Sequence, residues 1–238
     1  MNKFHMRARL LGAATVALFA ATAHAVPINF VPNGDFEAGN TLFTSDYAFS
    51  PVSNTTEGQY TVRSNPFPWN AQFVSTGDHP SGVGLMMVAN GSPVSGAVVW
   101  QSQAIAVTAA TNYFFEAFVN NVCCQTFTFG PGSESILEFS LSLNGGAAIS
   151  LGIITTDLSL AGTWEGLSKQ YLPSSTGNVV LSLINRNTNA GGNDFAIDDI
   201  FFGTESIVNP PQVPEPLTLS LLGIGLAGLV FSRRRRTG

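Results

Sequence analysis

The sequence predicts an all-β protein built as a single two-sheet sandwich, with one apolar segment near each end of the chain. Three observations lead to this prediction. Only 11% of the 238 residues are charged, and 24 Gly and 13 Pro are present, a composition that favours an extracellular β protein with many turns. Apolar and polar residues alternate with period two in several segments. Residues 26–210 contain no convincing amphipathic helix of ten or more residues.

Five segments show the alternation most clearly and are predicted to be strands. They are residues 96–107, 112–120, 135–143, 178–184 and 194–202. In the third segment, Leu137, Phe139 and Leu141 fall on one face, with polar residues between them. Asn144-Gly145-Gly146 follows and suits a hairpin turn that needs positive φ. About eight such strands are expected, which is enough for a two-sheet sandwich.

The first 25 residues have the three-part organisation of a secretory signal peptide. Three basic residues lie in the first nine positions, an apolar run follows, and Ala23-His24-Ala25 forms an A-x-A cleavage pattern. The apolar run is too short to span a bilayer, which takes about 20 residues. We expect a mature chain that begins near Val26, the alternative being an N-terminal helix of the fold.

The C-terminal end combines a proline-rich segment, an apolar run and a basic cluster. Pro214, Glu215 and Pro216 precede a run of fifteen mostly apolar residues, and Arg233, Arg234, Arg235 and Arg236 follow. As a helix the run is about 22 Å long, and snorkelling arginines can extend it toward the roughly 30 Å hydrocarbon core. The positive-inside rule places the arginines in the cytoplasm. We expect a sandwich domain at residues 26–205 and a linker at 206–216. A transmembrane helix at 217–232 and a tail at 233–238 are expected to follow.

The Pro-Glu-Pro motif, the apolar segment and the arginine cluster together resemble the PEP-CTERM sorting signal of Gram-negative bacteria. The resemblance implies recognition by exosortase, a membrane cysteine transpeptidase that cuts near the motif. The protein would pass from an inner-membrane-anchored precursor to the cell surface or extracellular matrix. Proteins of this kind accompany extracellular polysaccharide and biofilm matrix, although the same tail occurs on some ice-binding proteins. The alternative is a plain tail anchor.

The domain between the two ends resembles the jelly-roll carbohydrate-binding modules of the galactose-binding-like type. The matching segments are Asn33-Gly34-Asp35-Phe36-Glu37 and Asp194-Phe195-Ala196-Ile197-Asp198-Asp199-Ile200, with Gly77-Asp78-His79, Val99-Trp100-Gln101, Asn112-Tyr113-Phe114 and Gly162-Thr163-Trp164 in order between them. The resemblance spans about 170 residues. It implies a jelly-roll sandwich with adhesive or glycan-binding activity.

In many such jelly rolls a structural calcium ties the first strand to the last, and the resemblance implies the same here. The matching positions are Gly34, through its carbonyl, and Glu37, with Asp198 or Asp199. Carboxylates and carbonyls are the ligands that calcium prefers. Strand parity predicts that Asp199 lies on the buried apolar face, where it would need a cation or several donors. The alternative is that both aspartates cap a strand end in solvent.

Three tryptophans are candidates for stacking on a sugar ring, because a flat aromatic face suits a pyranose. Trp100 and Trp164 lie in strand-like contexts and are expected in the core. Trp69 lies in a proline-rich segment, Pro66-Phe67-Pro68-Trp69-Asn70. We therefore predict that Trp69 is exposed in a loop and contacts the ligand.

Cys123 and Cys124 are the only cysteines in the chain. Exported proteins pass through an oxidising compartment in which disulfides form. We expect a vicinal disulfide that stiffens a loop. Pairing between chains and reduced, inert thiols are the alternatives.

The charge and histidine content exclude several function classes. Residues 26–213 contain three Lys or Arg and fourteen Asp or Glu, a net charge of −11, which argues against nucleic acid as a partner. His79 is the only histidine after the predicted signal peptide, which excludes multi-histidine zinc sites. No nucleophile elbow is present, and Glu116 has no partner nearby in sequence to complete a glycosidase pair.

We therefore predict a non-catalytic exported protein of the cell surface or extracellular matrix that binds glycans or mediates adhesion. The acidic domain favours neutral glycans, or contacts bridged by calcium, over direct binding to acidic polysaccharide. A secreted hydrolase that acts on polysaccharide is the first alternative. A purely structural matrix protein is the second.

Overall fold

The computed structural model describes residues 26–124 and 130–210. In these two ranges the chain forms twelve β-strands and one short 3-10 helix, at Leu158–Leu160. The strands are β1 (Phe43–Thr44), β2 (Ala48–Phe49), β3 (Gln59–Arg63), β4 (Met86–Asn90), β5 (Val98–Ser102), β6 (Ile105–Val107), β7 (Tyr113–Asn121), β8 (Ile136–Leu143), β9 (Ala148–Thr155), β10 (Trp164–Tyr171), β11 (Gly177–Asn185) and β12 (Asp194–Gly203). The predicted all-β class is confirmed.

The predictions for the two ends of the chain lie outside the described residues. They concern the signal peptide with Ala23 and Ala25, the Pro214-Glu215-Pro216 motif, the transmembrane helix and the arginine tail at 233–236. Within the described ranges, no helix has the length and apolar character needed to cross a bilayer.

The strands form two six-stranded sheets. The first sheet has the order β1-β5-β11-β8-β9, and β6 also pairs with β11. The second sheet has the order β10-β7-β12-β4-β3-β2. The named strand pairs are antiparallel except for β2 and β3. The chain crosses repeatedly from one sheet to the other, at each step from β6 to β8 and again from β9 to β12, which is the connectivity of the jelly-roll sandwich that was predicted.

Alternating side chains fill the space between the sheets, as the sequence pattern predicts. In β8, Leu137, Phe139 and Leu141 are buried in the main core together with large side chains from both sheets, such as Trp100 and Phe115. Burying one such side chain contributes about 1.5–3 kcal/mol. The core therefore depends on the same period-two pattern that identified the strands.

The turn after β8 has the conformation that its sequence predicts. Asn144 and Gly145 have φ values of 53° and 69°, the left-handed region required at the centre of a type I′ hairpin turn. The turn sets β9 antiparallel to β8, with Ser142 opposite Ala148.

Direct hydrogen bonds join the first segment of the domain to the last strand. The Phe30 N–H donates to the Phe202 carbonyl at 2.8 Å, and the Ile200 N–H donates to the Gly34 carbonyl at 2.8 Å. The Asn29 side-chain amide donates to the Ile200 carbonyl at 2.8 Å. Hydrogen bonds thus join the two segments between which the resemblance also implies a calcium ion.

A β-bulge interrupts β12 between Asp198 and Phe201, where its pairing with β7 shifts register. Asp199, within the bulge, has a φ of 44°. A bulge adds a residue to one strand and so reverses the alternation beyond it. The side chains of Phe195 and Ile197 enter the core before the bulge and those of Ile200 and Phe202 after it, so the Asp199 side chain lies outside the core and is 25% exposed. Asp198, before the bulge, is 1% exposed. The parity prediction that Asp199 lies on the buried apolar face is wrong for this reason.

Candidate functional site

An open cavity of about 440 Å³ lies beside the bulge in β12. It is lined by four carboxylates and five other residues, namely Asp35, Glu37, Asp78, Asp199, His79, Pro80, Ser81, Val83 and Gly84. None of these lining residues is a Lys or Arg. Carboxylates gathered in one cleft concentrate negative potential and attract cations. We call this cavity the acidic pocket.

A close approach at Gly84 brings two of the carboxylates together. A Cβ at this position would lie 2.2 Å from Glu37 Oε1 and 2.8 Å from Asp78 Oδ2. Glu37 Oε1 accepts from the Leu85 N–H at 2.6 Å. Asp78 accepts from the Gly84 N–H at 2.7 Å and from the Ser81 hydroxyl at 2.8 Å. The loop therefore folds around Asp78 and leaves room for Glu37 beside it.

The two aspartates of the bulge hold the same loop against the sheet. Asp198 accepts from the backbone N–H groups of His79 and Asp199, at 2.9 and 2.8 Å. Asp199 Oδ2 lies 2.7 Å from His79 Nδ1. The His79 ring stacks on Phe118 with centroids 3.6 Å apart and meets Trp164 edge-on at 6.0 Å. These contacts fix the imidazole at the wall of the acidic pocket.

Both aspartates of the bulge have raised pKa values. Burial raises the pKa of Asp198 to about 8; the two backbone hydrogen bonds oppose this shift, while the charges of Asp199 and Asp78 add to it. Burial also raises the pKa of Asp199, against the effect of its contact with His79. Carboxylates in this environment are stabilised by a proton or by a nearby cation.

The structure brings two of the four predicted calcium ligands into the acidic pocket. Glu37 and Asp199 line it. Asp198 lies behind it, with both carboxylate oxygens bonded to backbone N–H groups. Gly34 does not line it, and its carbonyl accepts from the Ile200 N–H.

The sequence prediction missed three other members of the acidic pocket, although two of the quoted motifs contain them. Asp35 lies in the first motif of the jelly-roll resemblance, and Asp78 and His79 lie in the second. Nothing local to these motifs indicates that they converge. They meet because the first segment and the loop before β4 both pack against the bulge in β12.

The prediction that Trp69 is exposed is wrong. Trp69 is only 2% exposed, its indole N–H donates to the Ser50 carbonyl at 2.8 Å, and its ring lies against Phe73. The proline-rich loop folds over the outer face of the second sheet, where it buries a second apolar cluster. Trp69 therefore cannot stack on a sugar in this conformation. Trp100 is buried in the core, and Trp164 is half-buried beside the acidic pocket.

A second cavity, of about 300 Å³, lies on the first sheet where β1, β5 and β11 meet. We call it the glutamine groove; it is lined by Leu42, Phe43, Thr44, Gln101, Ser102, Gln103 and Val180. The Gln101 amide donates to the Ser182 hydroxyl at 3.0 Å, which orients it along the sheet. The groove combines apolar side chains with amide and hydroxyl groups.

Cys123 and Cys124 follow β7 and are linked to each other by a disulfide in the structure. Both are buried. Cys123 also forms an isolated β-bridge with Phe73, in the loop that carries Trp69. The pair therefore lies under the proline-rich loop and does not line the acidic pocket or the glutamine groove.

Comparison with known proteins identifies the C-terminal segment. Residues 212–236 match the PEP-CTERM protein-sorting motif, and this range includes the Pro-Glu-Pro sequence and the arginine cluster. The chain carries a PEP-CTERM sorting motif. The predicted signal is thus confirmed. The PEP-CTERM motif implies an exported protein that is sorted through a membrane-anchored precursor and processed by exosortase. No curated protein matches the chain.

Solved structures with a similar fold include two enzymes, and a binding module is matched at a lower TM-score. The arabinose-bound α-L-arabinofuranosidase MgGH51 has a TM-score of 0.50 at 14% identity, covering 77% of this chain and 27% of that enzyme. A Stig cyclase from Fischerella sp. TAU has a TM-score of 0.50 at 13% identity, covering 79% and 100%. A family 16 carbohydrate-binding module has a TM-score of 0.41 at 15% identity, covering 73% and 99%.

These similarities concern the fold and do not identify an activity. The chain spans about a quarter of the length of the arabinofuranosidase, and the identities are 13–15%. The two enzymes with a TM-score of 0.50 share the fold and differ in activity, so the function must be argued from the cavities of this chain.

Proposed function

We propose that the domain is a non-catalytic module of the cell surface or extracellular matrix that binds a neutral glycan in the glutamine groove. The observation that carries this proposal is the composition of the groove. Leu42 and Phe43 offer apolar surface beside the amides of Gln101 and Gln103. A sugar presents an apolar ring face and a rim of hydroxyls, so both kinds of surface have a counterpart.

The charge of the domain supports a neutral ligand. Residues 26–213 carry a net charge of −11, which repels anionic polysaccharide. No charged residue lines the glutamine groove. Hydrogen bonding and apolar contact, and not ion pairing, would therefore select the ligand.

Substitution of the groove amides tests this proposal. Gln101→Ala and Gln103→Ala are each expected to weaken glycan retention about 3- to 10-fold, since one hydrogen bond contributes about 0.5–1.5 kcal/mol. A glycan array probed with residues 26–212 would identify the ligand, and titration would measure the loss. Gln170→Ala, an exposed glutamine on β10 of the other sheet, serves as the matched control. Unchanged affinity in a folded double variant would refute the assignment.

The acidic pocket is proposed to hold a structural calcium ion. Asp35, Glu37, Asp78 and Asp199 supply hard oxygen donors from three separate parts of the chain. No three of the pocket's acidic and histidine ligand atoms converge within 4.8 Å in the described residues. Calcium takes six to eight ligands in flexible geometry, so waters and a short inward movement would complete the site. The ion would offset the carboxylate repulsion and hold the loop to the last strand.

Calcium is accordingly expected to raise the free energy of unfolding. At a free concentration 100 times the dissociation constant, the gain is about 2.7 kcal/mol. Urea unfolding with calcium and with chelator would measure it. Asp199→Asn should remove most of the gain, and Asp157→Asn, at an exposed site outside the acidic pocket, should keep it. Equal stability of the wild-type domain with calcium and with chelator would exclude the ion.

One observation favours a second function, hydrolysis of polysaccharide. The pair of His79 and Asp199, with 2.7 Å between Nδ1 and Oδ2, lies in an open cavity lined by carboxylates, which is an arrangement suited to proton transfer. Release of reducing sugars that is abolished by His79→Gln would support the hydrolase. Glycan retention without release supports the binding module.

A further inference from the structure

Two cysteines and an aspartate converge beneath the proline-rich loop, apart from both cavities described above. The sulfurs of Cys123 and Cys124 and a carboxylate oxygen of Asp194 all lie within 4.8 Å of one another. The three residues are 5%, 7% and 6% exposed. In residues 26–124 and 130–210, no other three Cys, His, Asp or Glu side chains come together so closely.

Strand pairing builds this cluster. β7 and β12 are neighbours in the second sheet, and Asn121, the last residue of β7, is paired with Phe195. The Val122 N–H then donates to the Asp194 carbonyl at 3.1 Å. The cysteines therefore continue from the end of one strand directly beside the start of the next. Their position relative to Asp194 is set by the sheet.

Two buried amide groups beside the cluster have unpartnered atoms. Asn121 Oδ1 accepts from the Cys123 N–H at 3.0 Å, whereas its Nδ2 has no hydrogen-bond partner. Asn193, the neighbour of Asp194, has an unpartnered Oδ1. Both asparagines are completely buried. An unmade hydrogen bond at such a site costs about 1–3 kcal/mol. Amide N–H groups in the outer shell of a metal site commonly donate hydrogen bonds to the ligand atoms, and the Asn121 side chain, two residues before Cys123, has an N–H group without another partner.

We propose that Cys123, Cys124 and Asp194 form a site for a thiophilic divalent ion, with Zn²⁺ as the best-fitting class, when the cysteine pair is reduced. Zinc takes thiolate and carboxylate ligands at about 2.3 and 2.0–2.2 Å in tetrahedral geometry. Ligand atoms around one such ion lie less than about 4 Å apart, and the cluster, whose ligand atoms all lie within 4.8 Å of one another, can reach this spacing. A water molecule would provide the fourth ligand.

Reduction of the disulfide makes the two sulfurs available as metal ligands. A dithiol reductant supplies two electrons and two protons: the bond between the sulfurs of Cys123 and Cys124 breaks, two thiols form, and the reductant becomes a cyclic disulfide. Zn²⁺ then displaces the two thiol protons to solvent and forms two metal–sulfur bonds, with the Asp194 carboxylate as third ligand. In the oxidised chain the sulfurs are bonded to each other and do not bind the ion. Metal binding at this site is therefore gated by the redox state.

The test compares zinc binding by the reduced and oxidised full chain. The chain, purified in detergent, is reduced with a dithiol, freed of the reductant under inert gas, and titrated with Zn²⁺ against a chromophoric chelator in excess Ca²⁺. We expect the reduced chain to bind one Zn²⁺ more than the oxidised chain. Cd²⁺ should produce a thiolate-to-metal charge-transfer band in the reduced chain alone. Equal zinc binding by the two forms would overturn the proposal.

Variants separate ligand loss from misfolding. Cys124→Ser should abolish the additional Zn²⁺, and Asp194→Asn should weaken it at least 10-fold, whereas Asp157→Asn should leave it unchanged. Circular dichroism of each variant reports its fold. Because a buried substitution can prevent folding, the reduced wild-type chain is also alkylated with iodoacetamide, which should remove the additional ion. Persistence of that ion after alkylation of both thiols would contradict the assignment.

Discussion

Replacing Glu116 with alanine is expected to lower the free energy of unfolding by about 3–5 kcal/mol. Glu116 lies on β7 and is completely buried. Its Oε1 accepts from the hydroxyls of Ser168 and Ser206, both at 2.5 Å. Its Oε2 accepts from the N–H groups of Ile207 and Val208 at 2.6 and 3.2 Å. Alanine would leave all four donors without this acceptor.

Two further variants make this prediction specific, with urea unfolding followed by tryptophan fluorescence as the measurement. Glu116→Gln keeps the shape and one acceptor oxygen but turns an NH₂ group toward the other donors, so about half the loss is expected. Glu165→Ala, on the neighbouring edge strand β10, removes a half-exposed carboxylate with one backbone hydrogen bond and should cost less than about 1 kcal/mol. If Glu116→Ala is no more destabilising than Glu165→Ala, the buried hydrogen bonds to Glu116 contribute nothing to the free energy of unfolding.

Glu116 also holds the segment that follows β12. Its hydrogen bonds hold residues 206–208 against the second sheet, a few positions before the sorting motif at 212–236. The sequence places Glu116 in a strand but offers no partner for it, because its donors lie 52 and 90–92 residues away. Such a network is a property of the tertiary structure alone.

The fold could be predicted because several long strands face the core on one side only. In β8 and β11 the inward positions are apolar and the outward ones mostly polar, so period-two alternation is visible. β4 shows the limit of this signal. All five of its residues are buried, because the loop that carries Trp69 and Phe73 covers its outer face. A strand covered on both faces does not alternate.

A functional site could be predicted only where all of its residues lie in one continuous segment of the sequence. The Pro-Glu-Pro motif with its apolar and basic segments is continuous in sequence, and it was identified completely. Asp199 was placed on the wrong face because a bulge depends on strand pairing, which alternation does not encode. Trp69 was placed in solvent because its proline-rich surroundings indicate a loop without showing what the loop covers.

In calcium-free buffer the domain is expected to lose stability, on the order of 5 kcal/mol, as the pH rises from about 4 to 8. The pKa of Asp198 is raised from 3.8 to about 8, chiefly by burial, and that of Asp194 is raised from 3.8 to about 7 for the same principal reason. Over this interval the folded domain keeps protons that the unfolded chain has released. The unfolded state therefore binds fewer protons, and stability falls with rising pH.

The free energy of unfolding should change most steeply with pH between the pKa values of these groups in the unfolded chain and in the folded domain. Urea unfolding in chelator at pH 5, 6, 7 and 8 measures this change. Asp198→Asn removes the larger contribution and should flatten the curve, whereas Asp157→Asn should leave it unchanged. A wild-type domain equally stable at pH 5 and pH 8 in chelator would show that burial does not control these carboxyl groups.

Calcium should oppose this fall, because a cation in the acidic pocket favours ionised carboxylates nearby. The stabilisation by calcium is therefore expected to grow between pH 5 and pH 8 and to shrink in Asp199→Asn. Stabilisation of the same size at both pH values would place the ion away from the aspartates of the bulge. At neutral pH the buried carboxyl group of Asp198 must keep its proton, ionise at a loss of stability, or lie beside a cation, and the proposed calcium ion in the adjacent cavity, which four further carboxylates line, would supply that cation.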